Sequence, residues 1–324
     1  IADWPSYNLI LNCTSCNNMD PATGENADGF AAKLTCGVGN VFDGCIAYNN
    51  VDDGWDLYAK SATGPIGVVT IRNCISFRNG QTAEGVFTAN SDGNGFKMGG
   101  GGVGTAHIVE NCLSFENKKH GFTDNNNPKF STLKNCTSFS NGMDSGANFQ
   151  MDRCTAGTFE NCISYKNNSG TSDKFNGTGT NLVFFNSKKY YQVEGTLALA
   201  NSKAGTQITG PTDDDFVSVE VPALGADVHT LWRNADGSIN THGFMQLKDS
   251  SKFASLGADF DNTTPVVPPT PTETTTTTAT TEPTDTEPTT TTTTPTDTEP
   301  TTTTTTPTDT TTSSENTKTL LGDA

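Results

Sequence analysis

The sequence predicts an all-β chain, a right-handed parallel β-helix (solenoid) with asparagine and aromatic ladders, followed by a disordered tail rich in Thr and Pro. Three observations predict it: a six-fold repeat centred on cysteine, a shorter repeat centred on a Gly-aromatic pair, and the scarcity of helix signals.

The six-fold repeat reads NCTSCNN at Asn12, GCIAYNN at Gly44, NCISFRN at Asn73, NCLSFEN at Asn111, NCTSFSN at Asn135 and NCISYKN at Asn161. Its cysteines are Cys13, Cys45, Cys74, Cys112, Cys136 and Cys162, spaced by 32, 29, 38, 24 and 26 residues. Three residues on stands Cys16, Tyr48, Phe77, Phe115, Phe139 or Tyr165, and two further an asparagine every time: Asn18, Asn50, Asn79, Asn117, Asn141, Asn167. A period of a little over twenty residues plus loops suits one coil of short strands, stacked at the inter-strand spacing of about 4.8 Å. Equivalent residues then form ladders. Asparagine suits the turns because it tolerates the left-handed conformation and can bond the amide of the next rung. Small or apolar Cys, Ile, Leu and Ser fit a narrow interior with alternation at period two.

Nine cysteines would ordinarily suggest a disulfide framework. Six of them share one rung, so they read better as small buried hydrophobes. Cys13 and Cys16 form a CxxC, but no second CxxC completes a zinc site.

The Gly-aromatic repeat carries the chemistry. NADGFAAKL at Asn26–Leu34, NVDDGWDLY at Asn50–Tyr58 and GNGFKMGG at Gly93–Gly100 align on Gly29-Phe30, Gly54-Trp55 and Gly95-Phe96. If these short strands lie in register with the aromatics inward, Asp56 and Lys97 point outward on adjacent rungs, and Asp28, Asp52, Asp53 and Asp56 converge. Four carboxylates so close do not all ionise without a cation, and an oxygen-only set suits Ca²⁺. A lysine beside aspartates is commonly a salt bridge. Beside a bound cation it is a candidate general base, with activity favouring alkaline pH. Calcium with a lysine base points to abstraction of a proton α to a carboxylate, such as the C5 proton of a polyuronate. Lys33, Lys60, Lys118, Lys119 and Lys129 are candidates for gripping further carboxylates.

After Asn167 the repeats blur. Phe175–Ser202 reads as less regular coils, and Asp213–Leu247 as a segment packed over the end of the stack. Asp213–Asp215 reads as a solvated acidic turn rather than a metal site. His120 falls on the rung of Asp53 and Asn94 and reads as a surface histidine, with a substrate-facing role as the alternative. From about Thr263 the chain is almost pure Thr, Pro, Glu and Asp, with PTDTEPTTTTTT repeated over Pro283–Thr306. Such a composition cannot bury enough apolar surface to offset the entropy of ordering. The expected organisation is a β-helical catalytic domain over 1–262 with a C-terminal cap from about 205, a disordered linker over 263–318, and the start of a truncated further module over 319–324.

The formal charge is −17. Nine acids and one lysine after Thr263 contribute −8, leaving −9 on the rest, which argues against nucleic acid or anionic membrane as partner. No apolar run reaches transmembrane length. The chain opens at Ile1 without Met and reads as processed or cut, and the Thr/Pro spacer suggests a secreted, extracellular enzyme.

Together, NADGFAAKLTxGxGNVFxGCIAYxNxDDGWDLY, GNGFKxGG and KHGFTDN resemble the family 9 polysaccharide lyases, the β-helical pectate lyases, over most of Trp4–Asn168. The resemblance implies Ca²⁺ bound by Asp28, Asp52, Asp53 and Asp56, Lys97 as catalytic base, and β-elimination on polygalacturonate. It also implies coils ahead of Ile1, so an N-terminally truncated member is expected. Rhamnogalacturonan as substrate, action from chain ends, or a non-catalytic calcium-stabilised polysaccharide-binding β-helix are the alternatives. An inverting hydrolase would need paired carboxylates without a metal. TKTLLGDA at Thr317–Ala324 resembles the opening of a dockerin, so the parent protein is expected to dock onto a scaffoldin; otherwise a monomer is expected.

Overall fold

The computed structural model of the chain describes residues 4–129, 131–200 and 204–261. The Thr/Pro stretch 263–318 and the dockerin-like ending 319–324 lie outside them. Short strands recur three to a coil. The first coil holds β1 (Leu9–Leu11), β2 (Thr14–Cys16) and β3 (Phe30–Ala31), and the second β4 (Asn40–Asp43), β5 (Ile46–Tyr48) and β6 (Trp55–Asp56). The third holds β7 (Val69–Arg72), β8 (Ile75–Phe77) and β9 (Phe96–Lys97), and the fourth β10 (Ile108–Glu110), β11 (Leu113–Phe115) and β12 (Phe122–Thr123). The fifth holds β13 (Thr132–Lys134), β14 (Thr137–Asn141) and β15 (Phe149–Met151), and the sixth opens with β16 (Gly157–Glu160) and β17 (Ile163–Asn167). Each strand pairs in parallel with its counterparts one coil away, giving the three faces of a right-handed parallel β-helix.

The cysteine rung behaves as a ladder of small hydrophobes. Cys45, Cys74, Cys112, Cys136 and Cys162 are buried in the interior, Cys13 at the first coil is exposed, and all nine cysteines are free thiols. The asparagine rung is a continuous amide ladder: Asn18 donates to Asn50 (2.8 Å), Asn50 to Asn79 (2.9 Å), Asn79 to Asn117 (2.9 Å) and Asn117 to Asn141 (2.8 Å). Asn148, not Asn167, accepts from Asn141 at the end (3.1 Å). The left-handed conformation belongs to the residue before each rung (Asn17, Asn49, Arg78, Glu116, Ser140, Lys166), so these asparagines serve by stacking rather than by turning.

Two apolar layers follow from the alternation. Inward, Phe30, Trp55, Phe96, Phe122, Phe149 and Phe175 stack from coil to coil with ring centroids 4.8 to 5.2 Å apart. Ser76, Ser114, Ser138 and Ser164 also face inward, and the first three bond carbonyls of the third face. The larger residues of the same strands, Ile46, Tyr48, Ile75, Phe77, Leu113 and Phe115, point outward instead. A second layer covers them, built from Phe216, Val228, Trp232, Phe244 and Phe253 of residues 212–261.

That covering segment lies along the side of the stack, not over its end. Arg233 donates to Cys13 O (3.0 Å), Arg78 to Pro222 O (2.8 Å), Asp259 N to Asn111 (2.7 Å), and Tyr165 to Asp213 (2.6 Å), contacts that run from the first coil to the sixth. The outward aromatic rung makes this necessary, because it would otherwise be an exposed apolar stripe. The last coils also differ from expectation. β18 (Lys174–Asn186) pairs in parallel with β15, β16 and β17, then turns back through Ser187-Lys188 into an antiparallel β19 (Lys189–Ala200), itself paired with β20 (Thr206–Ile208). Ser187 and Lys188 both have positive φ, the geometry of a two-residue hairpin turn, without the Asn-Gly that signals one. Among the described residues, no helix is long and apolar enough to cross a membrane.

Candidate active site and metal centre

The third face sets the site. Phe30, Trp55 and Phe96 pair rung to rung, as do Ala31, Asp56 and Lys97, the register that period two requires. The preceding glycines are needed for close approach. A Cβ on Gly54 would stand 2.0 Å from Ser76 Oγ and 2.6 Å from Gly95 O, and one on Gly29 2.7 Å from Gly54 O. With the glycines in place, the residues just before them form a second polar ladder. Asp28 accepts from Asp53 N (3.2 Å), Asp53 from Asn94 N (2.7 Å) and Nδ2 (2.8 Å), Asn94 from His120 N (3.3 Å), and His120 Nδ1 from Ala147 N (3.0 Å). His120 is therefore a half-buried rung of this ladder, with its Nδ1 committed to backbone. Burial, joined by Lys119 and Arg153, lowers its pKa to about 4.

Asp28, Asp53 and Asp56 each turn a carboxylate oxygen into one spot, all within 4.8 Å of one another. Asp52 stands beside this trio but spends its oxygens on backbone, Oδ1 on Asp92 N (2.8 Å) and Oδ2 on Asn26 N (3.0 Å), tying two loops to the site. Lys97 Nζ lies 2.8 Å from Asp53 Oδ2, 3.7 Å from Asp56 Oδ2 and 3.4 Å from Asp92 Oδ2. Lys33 Nζ bonds Asp28 Oδ2 (2.7 Å) and Asp56 Oδ2 (2.9 Å), and Lys119 bonds Asp92 (2.8 Å). Five carboxylates against three ammonium groups leave two negative charges.

The residues fit a hard dication. Asp53 Oδ2 and Asp56 Oδ1 are buried without an aligned hydrogen bond, the Lys97 approach to Asp53 being an ion contact only. Buried acceptors of this kind ordinarily find a partner, and oxygen donors with no His or Cys suit Ca²⁺. The titration behaviour agrees. Burial raises Asp53 well above its ordinary value, Lys97 opposes this, and the neighbouring aspartates add to it; burial and Asp56 raise Asp28. For Lys97, burial alone would lower the ammonium, but Asp53, Asp56 and Asp92 outweigh it and hold it above the usual lysine range. A base needs the opposite, so Lys97 could accept a proton only with those carboxylates otherwise engaged.

The gripping lysines divide. Lys33 and Lys119 belong to the site, whereas Lys118 is buried and anchors a loop through Thr88 O (2.6 Å) and Ser91 O (2.9 Å). Lys60 and Lys129 are exposed. Two groups had no clear sequence signal. Asp92 enters from the long loop before β9, and Arg153 reaches back from the fifth coil to Thr123 Oγ1 (3.4 Å) and Asp124 Oδ1 (3.5 Å). Thr123 pairs with Lys97, then Gln150 and Lys174 follow, so one outward row runs Asp56, Lys97, Thr123, Gln150, Lys174. It is acidic at one end, and at the other Lys174 faces Asp152 (3.8 Å) while Arg153 faces Asp124 (3.5 Å).

A family model described as the Pel9A-like right-handed β-helix region matches residues 1–157. Pectate lyase L of Paenibacillus polymyxa (strain SC2) is 46% identical over 263 residues, which is 81% of this chain and 53% of the relative. The chain thus spans about half the length of that curated relative. Among solved structures, pectate lyase Pel9A superposes with a TM-score of 0.57 at 28% identity, covering 80% of this chain and 56% of Pel9A. A rhamnogalacturonan lyase superposes equally well, TM-score 0.57 at 27% identity, covering 78% of this chain and 60% of its own.

Proposed function

We infer that this chain, which belongs through residues 1–157 to the Pel9A-like right-handed β-helix family, is a calcium-dependent pectate lyase cleaving polygalacturonate by β-elimination. The observation that carries the reading is Lys97 one rung from Asp56, its Nζ 2.8 Å from Asp53, in a chain 46% identical to a pectate lyase. Asp28, Asp53 and Asp56 would hold Ca²⁺, with Asp52 as a fourth carboxylate at the rim. An ion held by those residues would supply positive charge to neutralise the uronate carboxylate, which would acidify the proton on the adjacent C5.

Lys97 takes that C5 proton as the neutral amine. The C–H electron pair becomes the C4–C5 double bond, the C4–O bond breaks, and the leaving sugar keeps the oxygen and gains a proton from water. The strand pairing holds Lys97 in place, since its rung is fixed on both sides by Asp56 and Thr123. Lys119, Arg153 and Lys174, each partly exposed beside an aspartate, would offer donors to the neighbouring uronates, and with the bound ion would let an acidic protein hold an acidic polymer. We further read the protein as secreted.

The test is the product. Incubation with polygalacturonate should give the ultraviolet absorbance of a conjugated 4,5-unsaturated uronide, which a hydrolase does not form. The equal superposition on a rhamnogalacturonan lyase supports one second reading, the same chemistry on rhamnogalacturonan. Parallel assays on the two polymers separate them, and hydrolysis products without the absorbance would refute both.

A further inference from the structure

Lys33 occupies an unusual position. It lies two residues beyond Ala31 on the first coil, yet its Nζ reaches to the second, 2.7 Å from Asp28 Oδ2 and 2.9 Å from Asp56 Oδ2. These are two of the three carboxylates whose oxygens come within 4.8 Å of one another. The ammonium therefore sits on two of the three carboxylates that a dication held by the same trio would need, and two cations drawn to the same carboxylates repel strongly. Lys97 cannot replace it, being 2.8 Å from Asp53 but 3.7 Å from Asp56. The carboxylates it faces are buried, with side-chain exposures of 2% for Asp28 and 4% for Asp56, so without a cation they would stand uncompensated. Lys33 itself is 24% exposed, so its side chain borders solvent while its partners do not.

We propose that Lys33 is a stand-in counter-ion: it neutralises Asp28 and Asp56 in the cation-free protein, the dication displaces it, and the released ammonium binds a carboxylate of the polymer. The last step rests on the lyase reading above, whereas the displacement does not. A lysine in this role opposes metal binding and favours substrate binding, so removing it moves the two affinities in opposite directions. A merely structural lysine would weaken both.

Calcium binding to the chelator-treated full chain, without substrate, is measured by titration calorimetry for wild type, Lys33→Gln, Lys33→Arg and Lys119→Gln. Lys119→Gln removes the same charge from the same field, but its partner is Asp92, outside the trio. The proposal expects Lys33→Gln to bind calcium about tenfold tighter, and Lys119→Gln to change by less than about threefold. Lys33→Arg, keeping the charge, stays near wild type. The metal-free melting temperature of Lys33→Gln should fall and recover with calcium, and its KM for polygalacturonate should rise with kcat little changed. Unchanged or weaker calcium binding in Lys33→Gln, or equal tightening in Lys119→Gln, overturns the proposal. Failure of the lyase reading appears separately, as no unsaturated product from wild type, and leaves the calorimetry intact.

Discussion

Replacing Lys97 with alanine separates the stability role of this lysine from its chemistry. In the protein without a cation, Lys97 is the ion contact of Asp53 Oδ2, and Asp53 is fully buried. Removing one member of a buried pair typically costs about 3–5 kcal/mol because the other charge is left uncompensated. Asp53 has an escape, since its carboxyl is already raised well above the ordinary range and can take up a proton. The lower end, about 3 kcal/mol near pH 8, is therefore expected, a fall of about 6–12 °C in melting temperature for a domain of this size. As pH drops into the range where Asp53 protonates, the penalty should vanish. Calcium should remove it too, because the trio then has another partner. Circular-dichroism melts of wild type and Lys97→Ala, with chelator and with calcium at pH 8 and pH 5, test all of this. The variant should regain wild-type stability in calcium while remaining inactive. A loss of the same size with and without calcium would refute the assignment of Asp53 and Lys97 to a shared cation site.

Gly54→Ala should be severely destabilising, beyond about 3 kcal/mol, because its Cβ meets Ser76 Oγ at 2.0 Å and backbone at 2.6 Å; a urea midpoint near wild type would contradict the close approach. Asn79→Ala breaks the amide ladder on both sides and should cost about 2–4 kcal/mol in the same measurement. Asp173 is fully buried between Phe149 N and Phe185 N (both 2.9 Å), and burial pushes its pKa up to about 6. Its neutral form is therefore the one the fold prefers: the contribution is fully present below the unfolded value of about 3.8, and about 2–3 kcal/mol is lost as pH rises through 6. Asp173→Asn should flatten that slope in denaturation series from pH 4 to 7. Arg153→Gln should raise KM for polygalacturonate with little change in kcat, and a pure kcat loss would place Arg153 elsewhere.

Much of this architecture could be read from the residues because ladder residues repeat. Cys45 to Cys162, Asn18 to Asn141, and the alignment of Phe30, Trp55 and Phe96 each report one rung, and the register of Asp56 with Lys97 follows from period two alone. Features that occur once could not be read this way. The β18–β19 hairpin turns on Ser187-Lys188, which carries no glycine. The outward direction of Phe77 and Phe115 shows only against Trp232 and Phe244, more than a hundred residues away. Within the site, Asp28, Asp53 and Asp56 meet, whereas Asp52 is drawn aside by two backbone amides that no spacing rule reveals. Lys118 reads like Lys119 in sequence but is buried under a loop, because the bend between β11 and β12 sends the two neighbours to different partners, Thr88 and Ser91 for one and Asp92 for the other. Arg153 acts by reaching across a coil, and such reach depends on rotamers rather than on register.

The most direct test of the central claim is the initial rate of unsaturated uronide formation from polygalacturonate by the full chain, measured against calcium concentration for wild type and Lys97→Ala. The account predicts that chelator abolishes wild-type turnover, that calcium restores it, and that Lys97→Ala stays inactive at every calcium concentration while still binding the ion. Turnover that persists in chelator, or a Lys97→Ala variant that cleaves at the wild-type rate, would contradict it.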